Sequence, residues 1–129
     1  MTYVVDTHAF IWYLTDSPRL GGLARQALLD PAALLVVPSI ALAELRFLSQ
    51  RGRITLGWED VGALLNRDAR CVVHPLHRQI VDQMPAGLNI HDALICATAL
   101  FYRDSLGEAV QIVTRDAKIA ESQLVETVW

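Results

Sequence analysis

Four carboxylates are the first candidates for chemistry in this chain: Asp6, Glu44, Asp92 and Asp116. Asp6 follows the short apolar run Tyr3 to Val5, and Asp116 comes just after Val110 to Val113. Both are strand-end positions, where an acid is also a common turn residue or helix cap. Glu44 is harder to explain as ordinary surface. Its helical neighbours are Ala41 at i−3, Leu45 at i+1 and Leu48 at i+4, an apolar stripe. Asp92 precedes Ile95, Cys96 and Ala99 at i+3, i+4 and i+7, so it lies on or beside a buried face. A first-turn acid favoured by the helix dipole is the competing account of Asp92. An unpaired carboxylate on an apolar stripe costs several kcal/mol unless a cation meets it. Arg46 is two positions beyond Glu44 and faces elsewhere on a helix. The remaining compensators are a distant arginine or a metal ion.

Carboxylates that converge on one cleft raise one another's pKa and need a cation to stay ionised together. Oxygen-only ligands favour Mg²⁺ or Mn²⁺, hard octahedral ions that keep several waters. In-line phosphodiester cleavage is the chemistry that uses such a site. One ion activates a water, and a second, ~3.5–4 Å away, stabilises the leaving oxygen. Thr7 and Thr114 stand beside or near candidate acids and could hydrogen-bond them, with loop capping as the alternative. Arg115 and Arg46, with Arg51 and Arg53, are candidate phosphate contacts. His8 and His91 flank Asp6 and Asp92 and are read as supporting rather than catalytic. Trp12 and Trp58 could stack on a base, but core or dimer packing accounts for them as well.

The elements that must position these residues alternate. Short apolar strands are predicted at Tyr3–Val5, Leu34–Val37, Cys71–Val73 and Val110–Val113, with Leu124–Val128 as a candidate edge strand. Between them the spacing predicts helices over Ala9–Leu14, from the Asp16-Ser17-Pro18 cap to about Leu29, and from a Ser39 cap to Gln50. Further helices are expected at Trp58–Asn66, His77–Met84, His91–Tyr102 and just after Asp116. Strands alternating with helices imply a three-layer α/β/α fold with a central, mainly parallel sheet of about four or five strands. In such folds sites form at the carboxyl ends of strands, where Asp6 and Asp116 stand.

Composition sets the frame. With 129 residues and no linker, repeat or low-complexity run, residues 1–129 read as one domain. Apolar residues make up 53% and charged residues 19%, an excess that suggests a partner covers some apolar surface. No run approaches the ~20 apolar residues that span a bilayer. The first residues lack the pattern of a signal peptide, so a cytoplasmic protein is expected. Cys71 and Cys96 sit in apolar stretches without metal-ligand spacing and are expected to be buried free thiols. The 14 acids and 11 bases give −3, and setting the four candidate acids aside leaves 10 against 11. An acidic pocket on a near-neutral body suits a polyanion held through metal ions. Composition alone does not establish nucleic-acid binding.

The segments Val4-Val5-Asp6-Thr7-His8-Ala9-Phe10-Ile11-Trp12, Ala43-Glu44-Leu45, His91 to Ala99 and Ile112-Val113-Thr114-Arg115-Asp116 together resemble the motifs of PIN-domain nucleases, most closely the VapC toxins of toxin–antitoxin pairs. The resemblance spans essentially the whole chain. It implies a divalent-metal endoribonuclease acting on structured RNA, such as transfer RNA or a ribosomal RNA loop. It places Asp6, Glu44, Asp92 and Asp116 as the acidic metal site, with Thr114 as an orienting hydroxyl. It also implies a homodimer and a cognate antitoxin whose tail covers the cleft.

Other readings compete. An HD-type metal phosphohydrolase would use His91-Asp92 with His8, His74, His77 and Asp116, but needs a mainly helical fold. A signalling receiver would need an aspartate ending its third strand, where this chain has Val73-His74-Pro75. A catalytically silent binding module would not need all four acids.

Overall fold

The computed structural model describes residues 1–129. Five strands, β1 (Thr2–Val5), β2 (Leu34–Pro38), β3 (Cys71–His74), β4 (Val110–Val113) and β5 (Thr127–Val128), form one sheet in the order β3-β2-β1-β4-β5. Every pairing is parallel, with Val4 beside both Val36 and Ile112. The expected mainly parallel sheet is therefore wholly parallel.

The helices are α1 (Thr7–Leu14), α2 (Gly22–Leu29), α3 (Ser39–Gln50), α4 (Trp58–Arg67), α5 (Arg78–Asp82), α6 (Ile90–Leu100) and α7 (Ala117–Ser122). They cover both faces, as a parallel sheet requires. Because side chains alternate along a strand, Val4, Val36 and Ile112 pack with Leu94, Ile95, Ile80 and Ile119 from α5, α6 and α7. Val5, Val37 and Val113 face the other way, onto Phe10, Leu28, Leu45 and Val61 from α1 to α4. The result is the three-layer α/β/α arrangement expected from the sequence.

Strand order positions the site. From the central β1 the chain moves out to β2 and β3, then returns across to β4 and β5. The direction of winding reverses between β1 and β4, and the crevice outside their carboxyl ends is where open α/β sheets bind ligands. Asp6 leaves β1 at that point, and Thr114 leaves β4.

Several local expectations need correction. The second helix starts at Gly22 rather than at Pro18. Asp16 sits at φ 50, turning the chain after α1, and its carboxylate pairs with Arg25 instead of capping a helix. Ser39 is the first residue of α3 and Pro38 holds the cap position, with no side-chain cap bond. The helix predicted over His77–Met84 shortens to Arg78–Asp82. Helix α6 begins at Ile90, and beyond Leu100 the chain widens into a π-helical turn, Phe101–Ser105. Cys96 is buried as expected, but Cys71 is only half-buried. The edge strand is two residues long. No helix is long and apolar enough to cross a membrane.

Candidate active site

The four carboxylates arrive from four separate elements. Asp6 ends β1 and caps α1, its Oδ1 accepting the Ala9 N–H at 2.9 Å. Glu44 comes from the middle of α3, where Ala41 and Leu45 are buried and Glu44 itself is half-buried. Asp92 stands in the first turn of α6, and Asp116 caps α7 through bonds from the Lys118 and Ile119 N–H groups. Capping fixes Asp6 and Asp116 at helix N-termini, whereas Glu44 is held by the body of α3 and Asp92 by the first turn of α6. Asp6, Glu44, Asp92 and Asp116 all line one cleft of about 230 Å³, together with Thr7, His8, Asn89, His91 and Ile95.

Hydroxyl groups join the acids across the cleft. Thr114, buried just beyond β4, donates its hydroxyl to Asp6 Oδ2 and accepts the Asp116 N–H at 3.0 Å. Thr7, also buried, donates to Glu44 Oε2 at 3.2 Å rather than to its neighbour Asp6. Both threonines thus bond candidate acids.

The electrostatics are those of a site short of positive charge. None of the four acids is in an ion pair with lysine, arginine or histidine. Burial pushes the Asp6 carboxyl above its ordinary value, the Thr114 and Ala9 bonds and the nearby His8 pull it back, and Asp116 adds to the rise. Asp92 is also raised, by burial first and then by the charges of Asp116 and Glu44. Cys96, one turn after Asp92, is held up to about 11 by burial, with Asp92 and Asp116 adding to the effect. It is therefore a neutral thiol at working pH, not a nucleophile.

Asn89 was not singled out from the sequence. Its side chain caps α6 by accepting the Asp92 N–H at 2.9 Å, while its Nδ2 donates to Asp92 Oδ2 at 2.8 Å. The sequence carries the signal, an asparagine just before a predicted helix start, which is a favoured N-cap.

The candidate phosphate contacts separate. Arg115 stacks over Trp12 with its guanidinium carbon 4.8 Å from the ring centre, beside the acids. Arg46 stacks over Trp58 at 4.8 Å and does not line the acid cleft. His74 and His77 bond each other at 3.0 Å, and His74 bonds the Tyr102 hydroxyl at 3.0 Å, so neither reaches the acids. Of the set that an HD-type phosphohydrolase would need, His8, His91, Asp92 and Asp116 line the cleft and His74 and His77 do not, and the five-stranded sheet is not that mainly helical fold.

Carboxylate oxygens without competing cations suit a hard divalent ion. No three His, Cys, Asp or Glu side chains stand close enough together to form a metal-holding group. No curated protein matches the chain. A comparison with protein families matches residues 3–122 to the PIN domain. With nearly its whole length matched, and its acids at the crevice of a parallel α/β/α sheet, the chain belongs to the PIN-domain family.

Proposed function

We propose that this protein is a divalent-metal-dependent endoribonuclease that acts as the toxin of a type II toxin–antitoxin module. PIN domains in general are nucleases that need divalent metals and bind RNA. The observation that carries the reading is the meeting of Asp6, Glu44, Asp92 and Asp116 in one cleft with no lysine or arginine to pair them.

In this reading the four carboxylates hold Mg²⁺ or Mn²⁺. When bound, such an ion lowers the pKa of water and neutralises charge developing on the phosphate. The chain's own residues prepare the site. Thr114 fixes one edge of Asp6 and, through the Asp116 N–H, the start of α7. Thr7 orients Glu44, and the Asn89 amide orients Asp92. Ile95, buried, is the one apolar residue lining the cleft, and it keeps that side of the site in a low-dielectric surrounding. Arg115, beside Asp6 and Asp116 in the adjoining hollow, offers its guanidinium to the RNA, and Arg46 offers one from outside the cleft.

Two surfaces support the partner readings. A groove of about 570 Å³ between α1, α2 and α4 combines Phe10, Leu14, Leu29 and Leu65 with charged Arg25, Arg67 and Asp68, which suits an amphipathic antitoxin segment. Val72, Val73, Leu76, Val81 and Met84 are exposed on and around β3 and α5, which suits a second copy of the chain. The setting expected for such a module is the cytoplasm.

The test is cleavage of small RNA by antitoxin-free protein with Mg²⁺ or Mn²⁺, beside an EDTA control and the Asp92→Asn variant. Cutting that needs both the metal and Asp92 supports the reading. Metal binding without cutting of any RNA, transfer and ribosomal RNA included, favours the silent binding module instead. Absence of both cutting and metal binding overturns the proposal.

A further inference from the structure

A second hollow opens beside the acid cleft. It holds about 420 Å³, within the ~300–1,000 Å³ of sites that enclose a small-molecule-sized group. Asp6, His8 and Asp116 line both hollows, so the two share a wall. The rest of its lining differs in kind from the cleft, because Trp12, Trp129, Arg19 and Arg115 supply rings and cations.

Trp12 is the hub. Its ring centre lies 5.7 Å from that of Trp129, edge-on at 66°, and 5.7 Å from His8. Arg115 lies over its face. Gly21 makes room for Trp129: a Cβ there would stand 2.7 Å from the indole and from the Trp129 backbone. Simple packing accounts for Trp12, which is 9% exposed. It does not account for Arg19 and Arg115, which are exposed and free of ion pairs beside a concave surface.

We infer that this hollow is a subsite for one unpaired nucleotide adjoining the bond that is cut, its base stacked on Trp129 and Arg115 and a phosphate held by Arg19. The inference rests on the nuclease reading and names the substrate feature it selects. Carboxylates repel a phosphate backbone, so affinity must come from cations nearby, and arginine matches phosphate with a two-pronged fork. Aromatic rings and guanidinium planes stack on any base, but only on one splayed out of a duplex. The subsite therefore selects a loop or single-stranded segment over a paired one, and reads base identity weakly.

The test uses the Asp92→Asn protein and a short single-stranded RNA of mixed sequence, together with copies carrying an abasic residue at each position in turn. Affinity is read by fluorescence anisotropy. Trp129→Ala is expected to weaken binding about ten-fold, as loss of one stacked base does. One abasic position should weaken binding to the Asp92→Asn parent by a similar factor and add nothing in the Trp129→Ala background. Arg19→Gln and Arg115→Gln, at exposed positions, carry the test should Trp129→Ala fail to fold. Arg19→Gln should also flatten the slope of log Kd against log salt by about 0.7, the loss of one single-strand phosphate contact. RNA that fails to bind overturns the subsite, as do arginine variants within about two-fold of the parent at every salt concentration. Metal-dependent cleavage of the same RNA by the unsubstituted protein is measured in parallel. Cleavage with unchanged binding in the variants removes the subsite and keeps the nuclease, whereas coupled binding without cleavage does the reverse.

Discussion

Thr114 donates its hydroxyl to Asp6 across a separation of 108 positions, and the same oxygen accepts the Asp116 N–H. One buried oxygen thus links the carboxyl ends of β1 and β4 at the crevice of the sheet. The bond also acts on Asp6 electrically, opposing the rise that burial causes.

Replacing Thr114 by Val keeps the shape and removes both bonds, the one to Asp6 and the one from the Asp116 N–H. The Asp6 pKa then rises further, because the bond that opposes the effect of burial is gone. Cleavage should fall by ~10–100-fold, the usual loss for a residue supporting a metal ligand. The acidic limb of kcat/KM against pH should move to higher pH. Thr114→Ser, which keeps the hydroxyl, should restore both. A Val variant with an unmoved acidic limb would show that the bond does not tune Asp6.

Asn89 does two things at once, and two substitutions separate them. Asn89→Ala removes the cap of α6 and should destabilise the fold by ~0.5–2 kcal/mol. It also frees the Asp92 carboxylate, so cleavage should fall as well. Asn89→Ser retains a cap oxygen but has no amide to donate to Asp92. Thermal denaturation should show stability largely recovered in Asn89→Ser while activity stays low. Full activity in the Ser variant would mean that the amide contact at 2.8 Å does not position Asp92.

The pattern of what the sequence discloses is physical. Strands β1, β2 and β4 are apolar on both faces, and such runs bounded by turn residues are legible without any partner. Glu44 is legible because an acid among Ala41, Leu45 and Leu48 violates the amphipathic pattern. The pairing of Thr7 with Glu44 is not legible, since it joins residues 37 positions apart through the packing of α1 on α3. Helix starts were misplaced where a nearby cap-type residue served another purpose: Asp16 pairs with Arg25, and Ser39 is already helical behind Pro38. The length of α5 is likewise set by local closure, as Gln83 and Met84 turn back onto Ile80 and Val81. Trp129 beside Trp12 is a tertiary contact, and nothing in the spacing of the two residues announces it.

Arg70 joins α1, α2 and the start of β3 far from the acids. Its guanidinium donates to Asp68, to the Tyr13 hydroxyl and to the backbone oxygens of Leu28 and Asp30. A lysine cannot present this fork of donors. Arg70→Lys should therefore lower stability by ~1–3 kcal/mol, the cost of leaving part-buried acceptors unpaired. Denaturant unfolding measures that loss. Because Arg70 does not line the acid cleft, kcat of the folded fraction should be unchanged; a lower kcat would tie the two regions together.

The two raised acids make the metal-free fold sensitive to pH. Asp6 and Asp92 both hold a proton more tightly folded than unfolded, where an aspartate titrates near ~3.9. Between that value and their raised folded values the native state binds more protons, so stability falls as pH rises through this window. In EDTA the contribution of these two groups should lower the melting temperature as pH rises through this window. Asp92→Asn removes one of the four carboxylates crowded into the cleft, while its side-chain oxygen still accepts from Asn89. In EDTA at neutral pH it should melt at or above the temperature of the unsubstituted protein, and its dependence on pH should be shallower. If Asp92 is a ligand as proposed, Mg²⁺ or Mn²⁺ should reverse the order, since an ion that binds only the native state adds ~2.7 kcal/mol at a hundred times its Kd. Melting curves with and without metal across this pH range measure all of these differences. A strong loss of stability in Asp92→Asn without metal would mean that the carboxylate is held by its fold rather than strained within it, and the acid cluster would lose its electrostatic rationale.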